Sequence, residues 1–515
     1  MDKRFVKFSA VVISIFLVVL LIFQFTPLSG LLSRGSQQVN QPLLPRLSGP
    51  AAASGSASTA AGVAQSGPQP GIIVGRAAQQ DISQPLREIK PILEAPPAQI
   101  REMPEPAGGE SEGAQPARPF VPDPVLQNSF GSSAAAPAPS INFEGVGNLD
   151  SVYPPDTNGD VGPNHYVQWI NLHFQIWNKS GVSLYGPAAG NTLWSGFGGP
   201  CQTQNSGDPI ALYDRLADRW VMAQFTSSSP YGECVAVSTT PDPTGSYYRY
   251  FFQFSTSTFY DYPKLGVWPD GYYLTANRFA GALLFSGASA IVLNRSAMLN
   301  GQAAAFQEFQ TSTSFGSLLP ANFTGPTSPP AGEPNFVTNI SSSALNLWKF
   351  HVDWNNSANS TFTGPTALPV AAWNQLCSGT RSCIPQPGTS VGLDSLGDRL
   401  MYRLTYRNYG DHEALAVTHS VNVANSGVQA GLRWYEVRNP NGTPIIYQQG
   451  TFAPDTTNRW MGSIGFDASG DMAIVYSVSS SSVFPGIRYT GRLVSDPLGQ
   501  LPQGESTLID GSGSQ

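Results

Sequence analysis

Six times between Asp160 and Tyr476 the chain runs through one plan: a polar lead-in, a strand of aromatic and β-branched residues, a tight turn and another strand. The first unit carries His165-Tyr166-Val167-Gln168-Trp169-Ile170 and then Phe174-Gln175-Ile176-Trp177. The third carries Asp261-Tyr262-Pro263-Lys264-Leu265-Gly266-Val267-Trp268 and turns at Pro269-Asp270-Gly271 into Tyr272-Tyr273-Leu274-Thr275. The units start at 160, 208, 261, 333, 398 and 459, so they advance by 48, 53, 72, 65 and 61 residues. Each step has the length of one four-stranded sheet with loops of variable size. Such a sheet cannot bury its faces alone, and radial repetition solves this while leaving few open edges. The expected fold is therefore all-β, a six- or seven-bladed β-propeller over 141–515, with a pair of β-sandwiches as the alternative. No segment reads as a long amphipathic helix.

The chain ahead of the repeats has a different character. Lys3, Arg4 and Lys7 precede an apolar run over 10–25, which is shorter than the ~20 residues of an ordinary spanning helix. Basic residues stay on the cytoplasmic side, so the remainder is expected outside. Residues 1–30 thus read as a signal anchor, giving a single-pass membrane protein with its C-terminal domain outside. A cleaved signal peptide, giving a secreted protein, is the alternative; Phe25-Thr26-Pro27-Leu28-Ser29-Gly30 makes a poor cleavage site. Residues 31–140 are dense in Pro, Ala, Gly and Ser and lack apolar periodicity, as in Ala51-Ala52-Ala53-Ser54-Gly55. They are expected to form a disordered linker, with at most a short helix or strand around 82–100, because they bury too little apolar surface to offset ordering.

Charge narrows the partners. Lys and Arg number 27 against 34 Asp and Glu, a net charge of −7, which argues against a nucleic-acid partner. There are 4 Cys, an even number in a chain expected outside the cytoplasm, so disulfides follow. The pairings Cys201–Cys234 and Cys377–Cys383 are favoured among the three that four Cys allow. Seven Asn-x-Ser/Thr sequons read as chance in so Asn- and Ser-rich a chain.

Two groups of residues invite a functional reading. Carboxylates at Asp156, Asp160, Asp208, Glu333 and Asp398 stand at unit starts and would form an acidic funnel if those starts ring a channel. Paired carboxylates there would suit glycoside hydrolysis, against the plainer role of bonding backbone N–H groups in turns. Asp156, Asn158 and Asp160 also alternate as in calcium loops, but Val161 replaces the required Gly; no cofactor is expected, with calcium as the alternative. Arginines concentrate late: Arg403, Arg433, Arg459 and Arg488 are ligand-binding candidates, because convergent guanidiniums bind a carboxylate bidentately, as sialic acid requires. Stacking on neighbouring aromatics, or pairing with acids, is the structural counterpart. Gly-x-Ser-x-Gly, His-Glu-x-x-His and phosphate-binding loops are missing from the sequence.

Longer motifs add a resemblance. Pro154-Pro155-Asp156-Thr157-Asn158-Gly159-Asp160-Val161-Gly162-Pro163-Asn164-His165-Tyr166, Tyr262-Pro263-Lys264-Leu265-Gly266-Val267-Trp268 and Asp398-Arg399-Leu400-Met401-Tyr402-Arg403-Leu404 carry it. Arg459-Trp460-Met461-Gly462-Ser463-Ile464 and Arg488-Tyr489-Thr490-Gly491-Arg492 extend it to nearly all of 141–515. Together they resemble a family of largely uncharacterised, exported bacterial β-propellers, distantly like sialidase or neuraminidase-repeat propellers. The resemblance implies the propeller and brings no catalytic residue. The sialidase Asp box is missing; Asp467-Ala468-Ser469-Gly470 has the wrong spacing. A further Trp-Gly-Asp-Tyr unit would follow in that family, so the resemblance implies a C-terminal truncation. The expected function is a membrane-tethered module binding an extracellular glycan or protein. A sialidase-like glycoside hydrolase and a structural adhesion module are the alternatives.

Overall fold

The computed structural model describes residues 71–93, 101–102, 119–131, 136–378 and 380–515. The membrane segment expected over 10–25 lies outside them. Among the described residues no helix is long and apolar enough to cross a membrane.

The described residues fold as six antiparallel four-stranded meanders in a propeller-like arrangement. The first comprises Asn158–Val161, His165–Ile170, His173–Asn178 and Ser183–Ala189. The second comprises Ile210–Asp214, Arg219–Phe225, Tyr231–Ser238 and Tyr247–Ser255. The third comprises Thr258–Val267, Tyr272–Ala280, Leu284–Leu293 and Ala305–Gln310. The fourth runs through Leu319–Thr324, Asn335–Ile340, Ala344–His351 and Thr361–Pro369. The fifth runs through Leu400–Asn408, Glu413–Asn422, Ala430–Arg438 and Ile445–Phe452. The sixth ends the series with Asn458–Phe466, Met472–Ser479, Gly486–Arg492 and Gln503–Ile509.

The first strand of each meander is its inner strand. In the fourth and fifth meanders these inner strands pair in parallel, Ala321 against Leu404 through Thr324 against Arg407, and merge both, with the short strands Leu126–Gln127 and Asn374–Gln375, into one ten-stranded sheet. The fourth repeat therefore begins earlier than its sequence start at Glu333. Its inner strand, Leu-Pro-Ala-Asn-Phe-Thr, carries a Pro and too few β-branched residues to stand out.

The cores lie between the faces of successive meanders. Trp169, Phe174, Trp194, Trp220 and Met222 fill the space between the first and second. Val235, Tyr250, Tyr272 and Leu293 join the second to the third. Trp268, Phe336, Leu404 and Tyr406 span the third, fourth and fifth, and Trp434, Phe452, Ile464 and Tyr476 join the fifth to the sixth. Both faces of each sheet are thus used, which explains why the strands read as nearly continuous apolar runs.

The expected disordered linker is corrected in part. Ile73–Arg76 adds a fifth strand to the outer edge of the third meander, and Gln79–Ile82 does the same for the second. Ile73 and Val74 remain 41% and 54% exposed. Backbone pairing to open edges, not side-chain burial, orders this stretch, so an argument from apolar composition misses it. Gly75 permits the approach: a Cβ there would sit 2.4 Å from the Phe306 ring. Leu126–Gln127 pairs in parallel with the outer strand of the fifth meander. Both disulfides form as expected, Cys201–Cys234 and Cys377–Cys383.

Candidate functional site

The N-terminal ends of the inner strands meet at one end of the fold, and that end is acidic. Asp156 and Asp208 directly precede the inner strands of the first and second meanders. Asp261 and Lys264 belong to the inner strand of the third, where the register slips between them. Such a bulge re-aims side chains and is common beside active sites. Glu233 comes from the start of a third strand, in the second meander, which reaches the same end. Asp156, Asp208 and Tyr262 all hold left-handed backbone, with φ of 42°, 42° and 54°. Non-glycine residues adopt this at a cost that the surrounding structure must offset.

The Asp156 and Asp208 carboxyls lie side by side, near enough for one to hydrogen-bond the other when it carries a proton. Burial, and then the charge of Asp208, holds Asp156 well above the usual carboxylate range. Burial raises Asp208 as well, against the pull of Lys264. Burial and the Asp208 charge push Asp261 up to about 7. Glu233, 1% exposed, is pushed well up by burial and Asp208, and its Oε1 has no hydrogen-bond partner among the described residues. Burial lowers Lys264, whose Nζ lies 3.6 Å from the centre of the Tyr262 ring. The Arg399 guanidinium stacks over that ring at 4.7 Å and binds Asp398 through Nε–Oδ1 and Nη2–Oδ2 contacts of 2.9 Å. Asn171 touches the rim, donating to Asp156 at 3.4 Å. Four carboxyls from three meanders thus face one ammonium. Burial raises the proton affinity of these carboxyls, that of Asp261 to near neutrality, which suits general acid–base work.

The residues singled out by sequence divide between this site and the scaffold. Asp208 belongs to the mouth, and Asp398 stands at its edge. Asp160 does not: its Oδ2 takes Arg403 Nη1 at 3.0 Å and the Tyr213 amide at 3.0 Å. Asn158 accepts from the Ala211 amide at 3.0 Å. These oxygens join the first two inner strands, whereas Asp156 lies beside Asp208. Among the described residues no group of three or more His, Cys, Asp or Glu is placed to hold a metal ion. Glu333 lies beyond the C-terminal end of its inner strand, at the opposite end of the fold, and binds Asn441 at 2.7 Å.

The arginines do not converge. Arg403 crosses the middle of the fold to Asp160 and the Gly159 carbonyl, at 2.7 Å from the latter. Arg433 is buried against Asp123 at 2.8 Å. Arg459 lies between Asp455 and Glu505, each at 2.7 Å, and Arg488 binds the same Glu505 at 2.8 Å. Each guanidinium is paired with its own neighbouring acid in space, so the four do not converge on one carboxylate site. Asp261, Lys264 and Glu233 were missed in the sequence. The first two lie inside a quoted motif as strand residues, and Glu233 carries no local signal.

Compared by sequence, the chain matches no family model and no curated protein. Solved structures similar to it include an exo-β-1,3-galactanase from Clostridium thermocellum, at 11% identity over 68% of this chain and 80% of that one, with a TM-score of 0.29. A polysaccharide lyase of the ulvan lyase family is similar at 10% identity over 73% and 84%, with a TM-score of 0.32. An endo-arabinase from Bacteroides thetaiotaomicron is similar at 10% identity over 72% and 98%, with a TM-score of 0.27.

Proposed function

We propose that this chain is an extracytoplasmic, membrane-tethered propeller of six blades, one per meander, that hydrolyses glycans at its acidic mouth. The observation that carries this reading is the group of Asp156, Asp208, Glu233 and Asp261 around Lys264. Glycoside hydrolysis needs one carboxyl that is protonated at neutral pH and another that is ionised. Asp156 and Asp208 lie within hydrogen-bonding reach, far closer than the about 5–5.5 Å or about 6.5–9.5 Å between the two carboxyls of that chemistry. They therefore serve as one unit holding one proton, and Asp261 or Glu233 supplies the second group. With Asp261 as the acid, activity falls as pH rises through about 7, where it loses its proton.

The test is a panel of aryl glycosides assayed with the wild type and with Asp208→Asn. Release of the aryl group by the wild type, lost in the variant, is the expected result. No turnover of any panel member overturns hydrolysis. A second reading, glycan binding without cleavage, draws on Lys264, whose ammonium compensates part of the acidic charge. It predicts retention of oligosaccharides by a protein that never cleaves them.

A further inference from the structure

Beside the mouth lies a crevice of about 390 Å³, walled by Phe120, Trp373, Asn374, Gln375, Asp398 and Asn422. That volume falls within the about 300–1,000 Å³ of small-molecule sites. Its polar lining is amide and hydroxyl; Asp398 is the single charged side chain and no Lys, Arg or His contributes. An anionic ligand would find no counter-charge there, whereas a hydroxyl-rich neutral one would find the Gln375 and Asn425 amides, which both donate and accept; the Asn374 and Asn422 amides bond the protein's own backbone. Phe120 and the Trp373 indole are the aromatic side chains of its wall. The Trp373 ring lies edge-on to His419 at 4.7 Å, and its Nε1 has no hydrogen-bond partner among the described residues.

The two walls share a single brace. Arg433 binds the Ala371 and Ala372 carbonyls at 3.0 and 3.2 Å, next to Trp373, and Asp123, two residues from Val121. Val121 and Asn374 close the floor by a reciprocal pair of hydrogen bonds at 2.9 and 2.7 Å. A buried guanidinium held on both sides preorganises the crevice, which lowers the ordering cost of binding. The crevice also leads to the mouth: Asp398 lines it, Arg399 stacks on Tyr262, and Tyr262 lies under Lys264.

We propose that this crevice is a subsite for an uncharged stretch of a glycan, packed on Trp373, whose next residue points at the carboxyls of the mouth. The proposal rests on the glycan reading above. It is tested by calorimetric titration of the Asp208→Asn protein with neutral tetrasaccharides derived from galactan, arabinan and xylan, and with tetragalacturonate as the charged counterpart. At least one neutral tetrasaccharide is expected to bind and tetragalacturonate is not. Adding Trp373→Ala should weaken that binding by about tenfold, and Trp373→Phe should restore most of it. Asn425→Ala, at an exposed position that also lines the crevice, should weaken it about threefold and serves if Trp373→Ala fails to fold. Equal affinity in folded Trp373→Ala, or in Asn425→Ala if that alone folds, overturns the proposal, as does binding of tetragalacturonate in preference to the neutral ligands. Trp373-dependent binding without turnover of aryl glycosides removes hydrolysis and leaves the subsite. Turnover without tetrasaccharide binding removes the subsite and leaves hydrolysis.

Discussion

Asp214, Asp160 and Glu505 each face a guanidinium, whereas Asp156, Asp208, Glu233 and Asp261 share one ammonium, that of Lys264. The first set lies where meanders meet. Asp214 binds Arg295 through two contacts, of 2.6 and 3.1 Å, and takes the Tyr272 hydroxyl at 2.9 Å. Glu505 serves Arg459, Arg488 and Tyr476 together, and Arg459 and Tyr476 hold its carboxyl below the usual range despite burial. The second set lies where inner strands begin, and its carboxyls are driven upward. The acids of the first region are held by a partner, whereas those of the second bind their protons more tightly than free carboxyls do. The difference separates scaffold from site: a paired acid has nothing left to give a ligand, while an acid holding a proton near neutrality can transfer it.

Breaking a pair in the first region should have the largest effect. Asp214→Ala leaves Arg295 buried without its counter-charge and is expected to remove about 3–5 kcal/mol of stability, read by denaturant unfolding. A change near zero would show that the pair is not what joins the second and third meanders.

Neutralising the second region should act with the opposite sign. Asp261→Asn is expected to abolish turnover and to add about 0.5–2 kcal/mol at pH 8, as removal of strained functional groups does. The pH dependence follows from the direction of each shift. Asp261 keeps its proton in the folded chain up to about 7, while an unfolded Asp loses it near ~3.9. The folded chain holds the extra proton across that window, so stability falls as pH rises through it. Glu505 behaves in reverse: its contribution is present above the unfolded value near ~4.3 and is lost as pH falls through its lower folded value. Thermal midpoints of the wild type should therefore decline between about pH 4 and 7, and Asp261→Asn should flatten that slope. An unchanged slope in the variant would remove Asp261 from the account.

The smallest effect is expected where a pair is exposed. Arg87 and Asp242, 3.5 Å apart, are 54% and 45% exposed. Arg87→Ala should cost no more than about 1 kcal/mol, because water screens the pair. A larger loss would mean that geometry rather than burial sets the worth of an ion pair in this protein.

The repeat was legible in the residues because its signals are local. Tight turns such as Pro269-Asp270-Gly271, and apolar runs such as Ala211-Leu212-Tyr213, report strands without reference to anything distant. Asp208 and Asp398 were legible for the same reason, as polar residues at the start of a unit. Glu233 was not, since its placement depends on how the third strand of one meander meets the inner strands of others. The arginines pair with acids, as the structural alternative has it, but which acids was not legible for a related reason. Their density in the last third is a property of the chain, but Arg403 finds Asp160, 243 residues away, and Arg433 finds Asp123.

By itself the sequence determined that the chain is built of repeated β units and that its unit starts are acidic, and it favoured the cysteine pairing that forms. Each of these follows from short-range chemistry: turn residues, strand periodicity and a few favourable spacings. Only the tertiary structure decided which acids are paired and which gather around Lys264, and that residues 73–82 cap the open edges of two sheets. Burial and contacts between distant segments set both outcomes, because the proton affinity of a carboxyl depends on the water and charges it loses when the meanders come together.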